Sequence, residues 1–274
     1  MPLKPRVVLA TLLGASGIGV CLTWAGTSDA VVAPIASWVA IVSCGAVLTN
    51  GILWHRYAQT TETRPEWLIR RWSRLGYVAG GAAVAGLTVR LLSAADVAPA
   101  AHAVLIGTST GVVSLVVGTA AIHQGDHSGS HRRLVLPVAV AAGFGLTAIA
   151  WLDVGMDGGP VSAIIVRAVH LVAVGAWMGG AIWHNALVVP ALTAAGDTDI
   201  RPVVHQFRRV VPLFIVAVLM TGIHQAGTWL GASLSTYLTT TVGLLVGLKF
   251  LSVIFLAALV ALSRVRSRTS RPNR

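Results

Sequence analysis

Long runs of apolar residues, separated by short polar and basic segments, dominate the pattern of this chain. A helix needs about 20 consecutive apolar residues to cross a bilayer core. The runs are continuous rather than alternating, which excludes a transmembrane barrel. The pattern therefore predicts an all-α, polytopic membrane helix bundle. The predicted spans are eight, at about residues 7–25, 31–53, 75–95, 100–122, 134–152, 161–189, 210–230 and 240–262.

The composition excludes several other classes of protein. Of 274 residues, 55% are hydrophobic and only 11% are charged, whereas about 25% are charged in a typical soluble domain. A soluble enzyme and a disordered chain are both excluded. The sequence contains no soluble catalytic domain and no nucleotide-binding motif, so we expect neither enzymatic activity nor a built-in ATPase. The basic residues lie between apolar runs, so the expected partner is the lipid bilayer and not nucleic acid.

The distribution of charge predicts the orientation of the bundle. With the N-terminus in the cytoplasm, seventeen of the twenty Lys and Arg residues fall in inner segments, and none falls in an outer loop. This is the distribution that the positive-inside rule describes, and it predicts cytoplasmic N- and C-termini. Span 7–25 also fits a cleaved signal peptide, whose loss would leave the orientation of the rest unchanged. The tryptophans near span ends are typical of an interfacial belt. They are Trp24, Trp54, Trp67, Trp72, Trp151, Trp183 and Trp229.

Three basic residues lie within the predicted spans, namely Arg90, Arg167 and Lys249. Ionisable groups are costly inside a membrane, which makes each of them a functional candidate. Arg90 lies near the outer end of its span, where it can instead extend to the headgroups. Asp153 lies at the outer end of the fifth span and is a candidate partner for Arg90 or Arg167. Lys249 needs a partner or a water-filled cavity, and a purely structural role is the alternative.

Two histidines are predicted to lie at similar depths on neighbouring helices. At about 1.5 Å per residue, His170 lies roughly 13 Å and His224 roughly 9 Å below the outer ends of their spans. Met220 shares a helix face with His224, while His102 and Met156 lie near the same side of the membrane. Imidazole and thioether groups together suit copper, so these five residues are a candidate metal site.

Two alternatives to copper remain open for these histidines. One alternative is that His170 and His224 are axial ligands of a b-type haem, whose propionates bind the nearby arginines. Covalent c-type attachment is excluded, since no C-x-x-C-H occurs. The other alternative is a scaffold in which the two histidines form hydrogen bonds across helices. At the opposite side of the membrane, His123, His127 and His131 form a possible cytoplasmic metal site, or a solvated connector.

Three sets of short motifs lie on successive spans in the second half of the chain. They are Arg167-Ala-Val-His170-Leu171 with Trp177-Met178-Gly179-Gly180 and Pro190, Phe207-Arg208-Arg209 with Thr221-Gly222, and Thr240-Thr241-Val242-Gly243 with Lys249. In this order and spacing, the motifs resemble the copper resistance D (CopD/PcoD/YcnJ-like) domain family, over about residues 160–266. In the last motif, Val242 and Leu244 stand where the family has Tyr and Arg.

The resemblance implies a multi-pass protein of the bacterial plasma (inner) membrane that transports copper. It also implies a partnership with a periplasmic CopC-like copper-binding protein. His170 is the residue most directly carried over, and Lys249 follows from the last motif. We therefore divide the chain into an N-terminal transmembrane half, a CopD-like transmembrane domain and a basic cytoplasmic tail. These cover residues 1–153, 160–266 and 267–274.

Overall fold

The computed structural model describes residues 32–60, 65–93, 131–155, 158–194, 200–231 and 233–254, with parts of 7–20. Nearly all of these residues are helical, and no strand occurs among them. The all-α prediction is confirmed for this part of the chain.

From residue 32 onward, the described residues form eight helices, numbered in chain order, and two π-helical segments that directly follow α3 and α4. The π-helical segments are Trp151–Gly155 and His184–Val188. The helices are α1 (Val32–Thr60), α2 (Glu66–Leu92), α3 (His131–Ala150), α4 (Val161–Trp183), α5 (Val189–Thr193), α6 (Arg201–Leu230), α7 (Leu234–Thr239) and α8 (Thr241–Ile254).

Five helical segments of the described residues are long and apolar enough to cross a membrane. They coincide with five of the predicted spans, and α4, its π-helical segment and α5 together form one of them. The predicted starts at 75 and 210 were wrong, because α2 begins at Glu66 and α6 at Arg201. Both helices continue through a polar segment beyond the apolar run that predicted them. Spans 7–25, 100–122 and 240–262 lie wholly or partly outside the described residues.

The helices run in two directions. Arg90, near the end of α2, pairs with Asp153, just after the end of α3. At the opposite end, Trp72 of α2 contacts Trp54 of α1 and Trp183 of α4. Helices α1 and α4 therefore run parallel, while α2, α3 and α6 run the other way. We call the two ends of the bundle the Asp153 end and the Trp183 end.

Helix α1 lies at the centre of the bundle and packs against α2, α3 and α4. It approaches α4 so closely that a Cβ atom on Gly45 would lie 2.1 Å from the carbonyl oxygen of Gly175. Gly175 and Gly179 form a small-xxx-small pair, which permits backbone contact between membrane helices. The hydroxyl of Thr49 donates a hydrogen bond across this contact to the carbonyl of Ala176, at 3.0 Å.

Five aromatic rings pack together at the Trp183 end, and we call them the aromatic cluster. Trp72 lies in the middle, with ring centroids 5.0 Å from Trp54, 5.5 Å from Tyr57 and 5.8 Å from Trp183. Phe207 of α6 extends the cluster from Trp183 at 5.9 Å. The interfacial-belt prediction was therefore wrong for Trp54, Trp72 and Trp183, whose side chains are buried in the bundle. Position near a span end determines depth, but not the direction in which a ring points.

Seven arginines of α1, α2 and α6 also lie at or near the Trp183 end. The acidic Glu66 pairs with Arg70 at 3.4 Å. Arg71 donates from Nε to the carbonyl of Ala186 at 2.7 Å and thereby joins the start of α2 to the π-helical segment after α4. Positive charge is thus concentrated at this end of the three helices. The seven are Arg56, Arg70, Arg71, Arg74, Arg201, Arg208 and Arg209.

Candidate functional site

The carboxylate of Asp153, whose side chain is only 10% exposed, binds two guanidinium groups from different helices. Asp153 lies in the π-helical segment after α3, a type of segment that is common at functional sites. Its Oδ1 accepts from Nη2 of Arg90 at 3.3 Å. Its Oδ2 accepts from Nε and Nη2 of Arg167 at 3.0 and 2.6 Å. Asp153 thus pairs with both of the partners that the sequence offered. Arg90 is buried against it and does not extend to the headgroups.

The hydrogen bonds continue from α4 to α6. Arg167 donates from Nη1 to Oε1 of Gln225 at 3.0 Å, and Gln225 donates in turn to the carbonyl of Thr221 at 3.1 Å. The imidazole Nδ1 of His170 lies 2.9 Å from the Thr221 hydroxyl. The helical repeat places Arg167 and His170 on one face of α4, and Thr221 and Gln225 on one face of α6. We call six residues the polar cluster. They are Arg90, Asp153, Arg167, His170, Thr221 and Gln225.

The hydrogen bonds of Thr221 favour one tautomer of His170. The Thr221 hydroxyl has a single proton, and the backbone carbonyl of Ala217 accepts a hydrogen bond from it. In this arrangement the hydroxyl oxygen accepts from Nδ1–H of His170. A backbone hydrogen bond with Val218 also acts on the His170 ring. In the neutral tautomer that has its proton on Nδ1, Nε2 has a lone pair for a ligand.

Lys249 of α8 lies within electrostatic range of the polar cluster. Its charge acts on both Arg167 and His170. The Lys of the last motif therefore lies near the Arg-x-x-His motif of α4 and the Thr-Gly motif of α6. Together these groups make the surroundings of His170 strongly positive.

Of the predicted outer metal site, the structure places Met220 and His224 together on one side of α6, away from the side that contacts His170. Met220 is 64% exposed and His224 is also exposed, on a side of α6 different from the one that Thr221 and Gln225 present to α4. In the part of the chain that the structure describes, no hydrogen bond or ion pair reaches His224. Within the same part, no group of three or more His, Cys, Asp or Glu side chains could hold a metal ion. His102 and Met156 lie outside the described residues.

The predicted cytoplasmic site is mostly untested by the structure. His123 and His127 lie outside the described residues. His131 is the first residue of α3, and nothing is described of its side chain. Two further histidines lie at or near the Trp183 end. His184 is half-buried in the π-helical segment after α4, and His205 is exposed on α6.

Sequence reasoning missed Gln225 altogether and noted Thr221 only through the family resemblance. A signal for both was present. Gln225 is a polar amide within an apolar span, where such groups require a partner. It follows Thr221 by four residues, so both side chains lie on one face of the helix.

Five helical segments of the described residues have the length and apolar composition of membrane spans, which is consistent with the class of multi-pass membrane proteins. No protein-family model, no curated protein and no solved structure matches the chain. Its function is therefore inferred from the chemistry of the polar cluster.

Proposed function

We propose that this protein transports copper ions across the bacterial plasma membrane, and that Nε2 of His170 is one of the copper ligands. The observation that carries the proposal is the hydrogen-bond chain from His170 to Thr221 and on to the carbonyl of Ala217. A histidine that binds a metal through one ring nitrogen almost always donates its other N–H to an oxygen acceptor. Thr221 supplies such an acceptor before any metal is bound.

The rest of the polar cluster supports this role by holding α4 and α6 in place. Arg167 binds Asp153 through two nitrogens and Gln225 through a third. These charge-assisted bonds link the helix that carries His170 to α6 and to the π-helical segment after α3. The orientation of the imidazole is then determined by α4 and α6 together. The arginines brace the site and do not line a path for a cation.

The motifs of the family resemblance also support the proposal. Arg167, His170 and Thr221 are contributed by separate motifs on two helices, and they lie within one hydrogen-bonded cluster. Lys249, from the last motif, acts on the same cluster. Further copper ligands would come from His102 and Met156, whereas Met220 and His224 lie on another side of α6, and His224 is tested separately. Delivery by a periplasmic CopC-like protein and cytoplasmic chain termini complete the proposal.

The test is copper binding by the full chain, purified in detergent and loaded with Cu(I) under reducing conditions. Bound copper is measured by elemental analysis, together with an absorption spectrum. We expect the wild-type protein to bind copper stoichiometrically and His170→Ala to lose it. Thr221→Val keeps the imidazole but removes its acceptor, so we expect copper affinity to fall by roughly 10- to 100-fold. His205→Ala, an exposed histidine near the other end of the bundle, is the matched control and should bind normally.

Two results would overturn the proposal. Copper binding that is unchanged in His170→Ala would remove His170 from the site. A haem absorption band in the wild-type protein that disappears in His170→Ala would assign the same nitrogen to haem iron instead. The His224→Ala variant, measured in parallel, tests whether His224 is a second ligand.

A further inference from the structure

The polar cluster contains more positive charge than its acidic residue neutralises. Arg90 and Arg167 are two cations, and both bind the single carboxylate of Asp153. Among the described residues, these three charges sum to one positive charge. Ionisable groups inside a membrane bundle are normally paired with one another, because unpaired charge is costly there. The cluster is therefore suited to receive a negatively charged group.

Arg90 is the donor with unused capacity. Only 8% of the residue is exposed, and its Nε has no hydrogen-bond partner among the residues that the structure describes. Its contact with Asp153 is also long, at 3.3 Å, compared with 2.6 Å for the shortest contact of Arg167. Leaving a buried donor unsatisfied is unfavourable, most of all when it belongs to a charged group. An acceptor beside Nε of Arg90 would relieve this cost.

The cluster is more exposed on one side than on the other. The side chains of Arg90 and Asp153 are each 10% exposed, but that of Arg167 is 26% exposed. An incoming ion would therefore meet the guanidinium of Arg167 first.

We propose that Arg90 and Arg167 form a binding site for a small inorganic anion, with chloride as the simplest case. Guanidinium N–H groups are strong donors to anions. One bound monovalent anion balances the charge that Asp153 leaves uncompensated. The site goes beyond copper binding and does not depend on it. A bound anion would also weaken the repulsion between Arg167 and a copper ion on His170.

The test is equilibrium binding of radiolabelled chloride to the metal-free, detergent-purified full chain, with gluconate keeping the ionic strength constant. We expect saturable binding in the wild-type protein. Arg90→Gln removes one charged donor and should lower chloride affinity by roughly 10- to 100-fold. Asp153→Asn removes the carboxylate that competes for the same guanidinium groups, so chloride affinity should rise. Arg70→Gln, which alters an exposed ion pair near the Trp183 end, is the control and should bind as wild type does.

The opposite signs expected for Arg90→Gln and Asp153→Asn separate an anion site from general damage to the fold. Absence of saturable chloride binding in the wild type would overturn the proposal, as would loss of binding in Asp153→Asn. If Arg90→Gln does not fold, the chloride affinity of Asp153→Asn, which we expect to be higher than that of the wild type, decides the question. In nanodiscs, competition by phosphatidylglycerol but not by zwitterionic lipid would identify a lipid phosphate as an occupant of the same site. The chloride measurement is made without copper. A negative result would therefore overturn the anion site and leave the test of copper binding unaffected.

Discussion

The contact between α1 and α4 gives the sharpest prediction, because it is made by backbone atoms. A Cβ atom at Gly45 would lie 2.1 Å from the carbonyl oxygen of Gly175 and 2.3 Å from its carbonyl carbon. No rotation of a side chain can relieve such a contact. Gly45→Ala must therefore push the two helices apart. The matched control is Gly81→Ala on α2, where an added Cβ meets nothing within 4 Å.

The size of the effect follows from the distance. Ordinary carbon–oxygen contacts are more than 1 Å longer than this one, so the two helices must move apart to restore a normal distance. A gap of about 0.5–1 Å between other packed atoms then loses a quarter to a half of each dispersion contact. Because α1 also packs on α2 and α3, separation from α4 strains those contacts as well. We expect Gly45→Ala to lower the free energy of unfolding by about 1–3 kcal/mol or more. Gly81→Ala should raise it by up to about 1 kcal/mol, since Ala is the better helix former.

The neighbouring Cys44 provides a local assay for this separation. Its side chain is buried beside Gly45 and forms no disulfide. In a Cys21→Ser background, we expect maleimide to label Cys44 slowly in the folded protein and much faster in Gly45→Ala. Unfolding by sodium dodecyl sulfate gives the free energy in parallel. Equal stability and equal labelling rates for Gly45→Ala and Gly81→Ala would refute the close backbone contact.

Two further substitutions test other contacts. Trp72→Ala removes the central ring of the aromatic cluster, and we expect the free energy of unfolding to fall by about 3 kcal/mol or more in the same assay. The control is Trp67→Ala, at a partly exposed residue, which should change the free energy of unfolding by no more than about 0.5 kcal/mol. Equal losses in the two variants would contradict the burial of Trp72. Thr49→Val removes the hydrogen bond to Ala176, and such a bond typically contributes about 0.6 kcal/mol inside membranes. If Thr49→Val lowered the free energy of unfolding as much as Gly45→Ala does, the hydrogen bond, and not close packing, would be what joins the helices.

Much of the architecture could be predicted from the sequence. The apolar runs predicted five helices that the structure contains, and only their polar extensions, such as the start of α2 at Glu66, were missed. The cost of a buried arginine was enough to pair Asp153 with Arg90 and Arg167. In both cases the physical cause acts on residue type and spacing along the chain.

The candidate metal site shows where that reasoning reached its limit. His170 and His224 were grouped because their predicted depths were similar. The structure instead places Thr221 and Gln225 opposite α4, while His224 is exposed on another side of α6. Depth follows from counting residues, but the face of a helix that meets a neighbour depends on how the two helices pack. In α6 the signal for that face was the polar pair Thr221 and Gln225, and depth alone could not separate it from the side that carries His224.

The sequence by itself determined the class of fold, the approximate spans and the charged groups that needed partners. Bilayer thickness and the cost of burying charge act on each segment separately, so no neighbouring helix is needed to apply them. Only the tertiary structure decided that Trp72 lies in a buried aromatic cluster and that Thr221 orients His170. These outcomes depend on the rotation of each helix about its axis. That rotation is determined by close packing of small residues such as Gly45 and Gly175, and it is a property of the pair of helices rather than of either one.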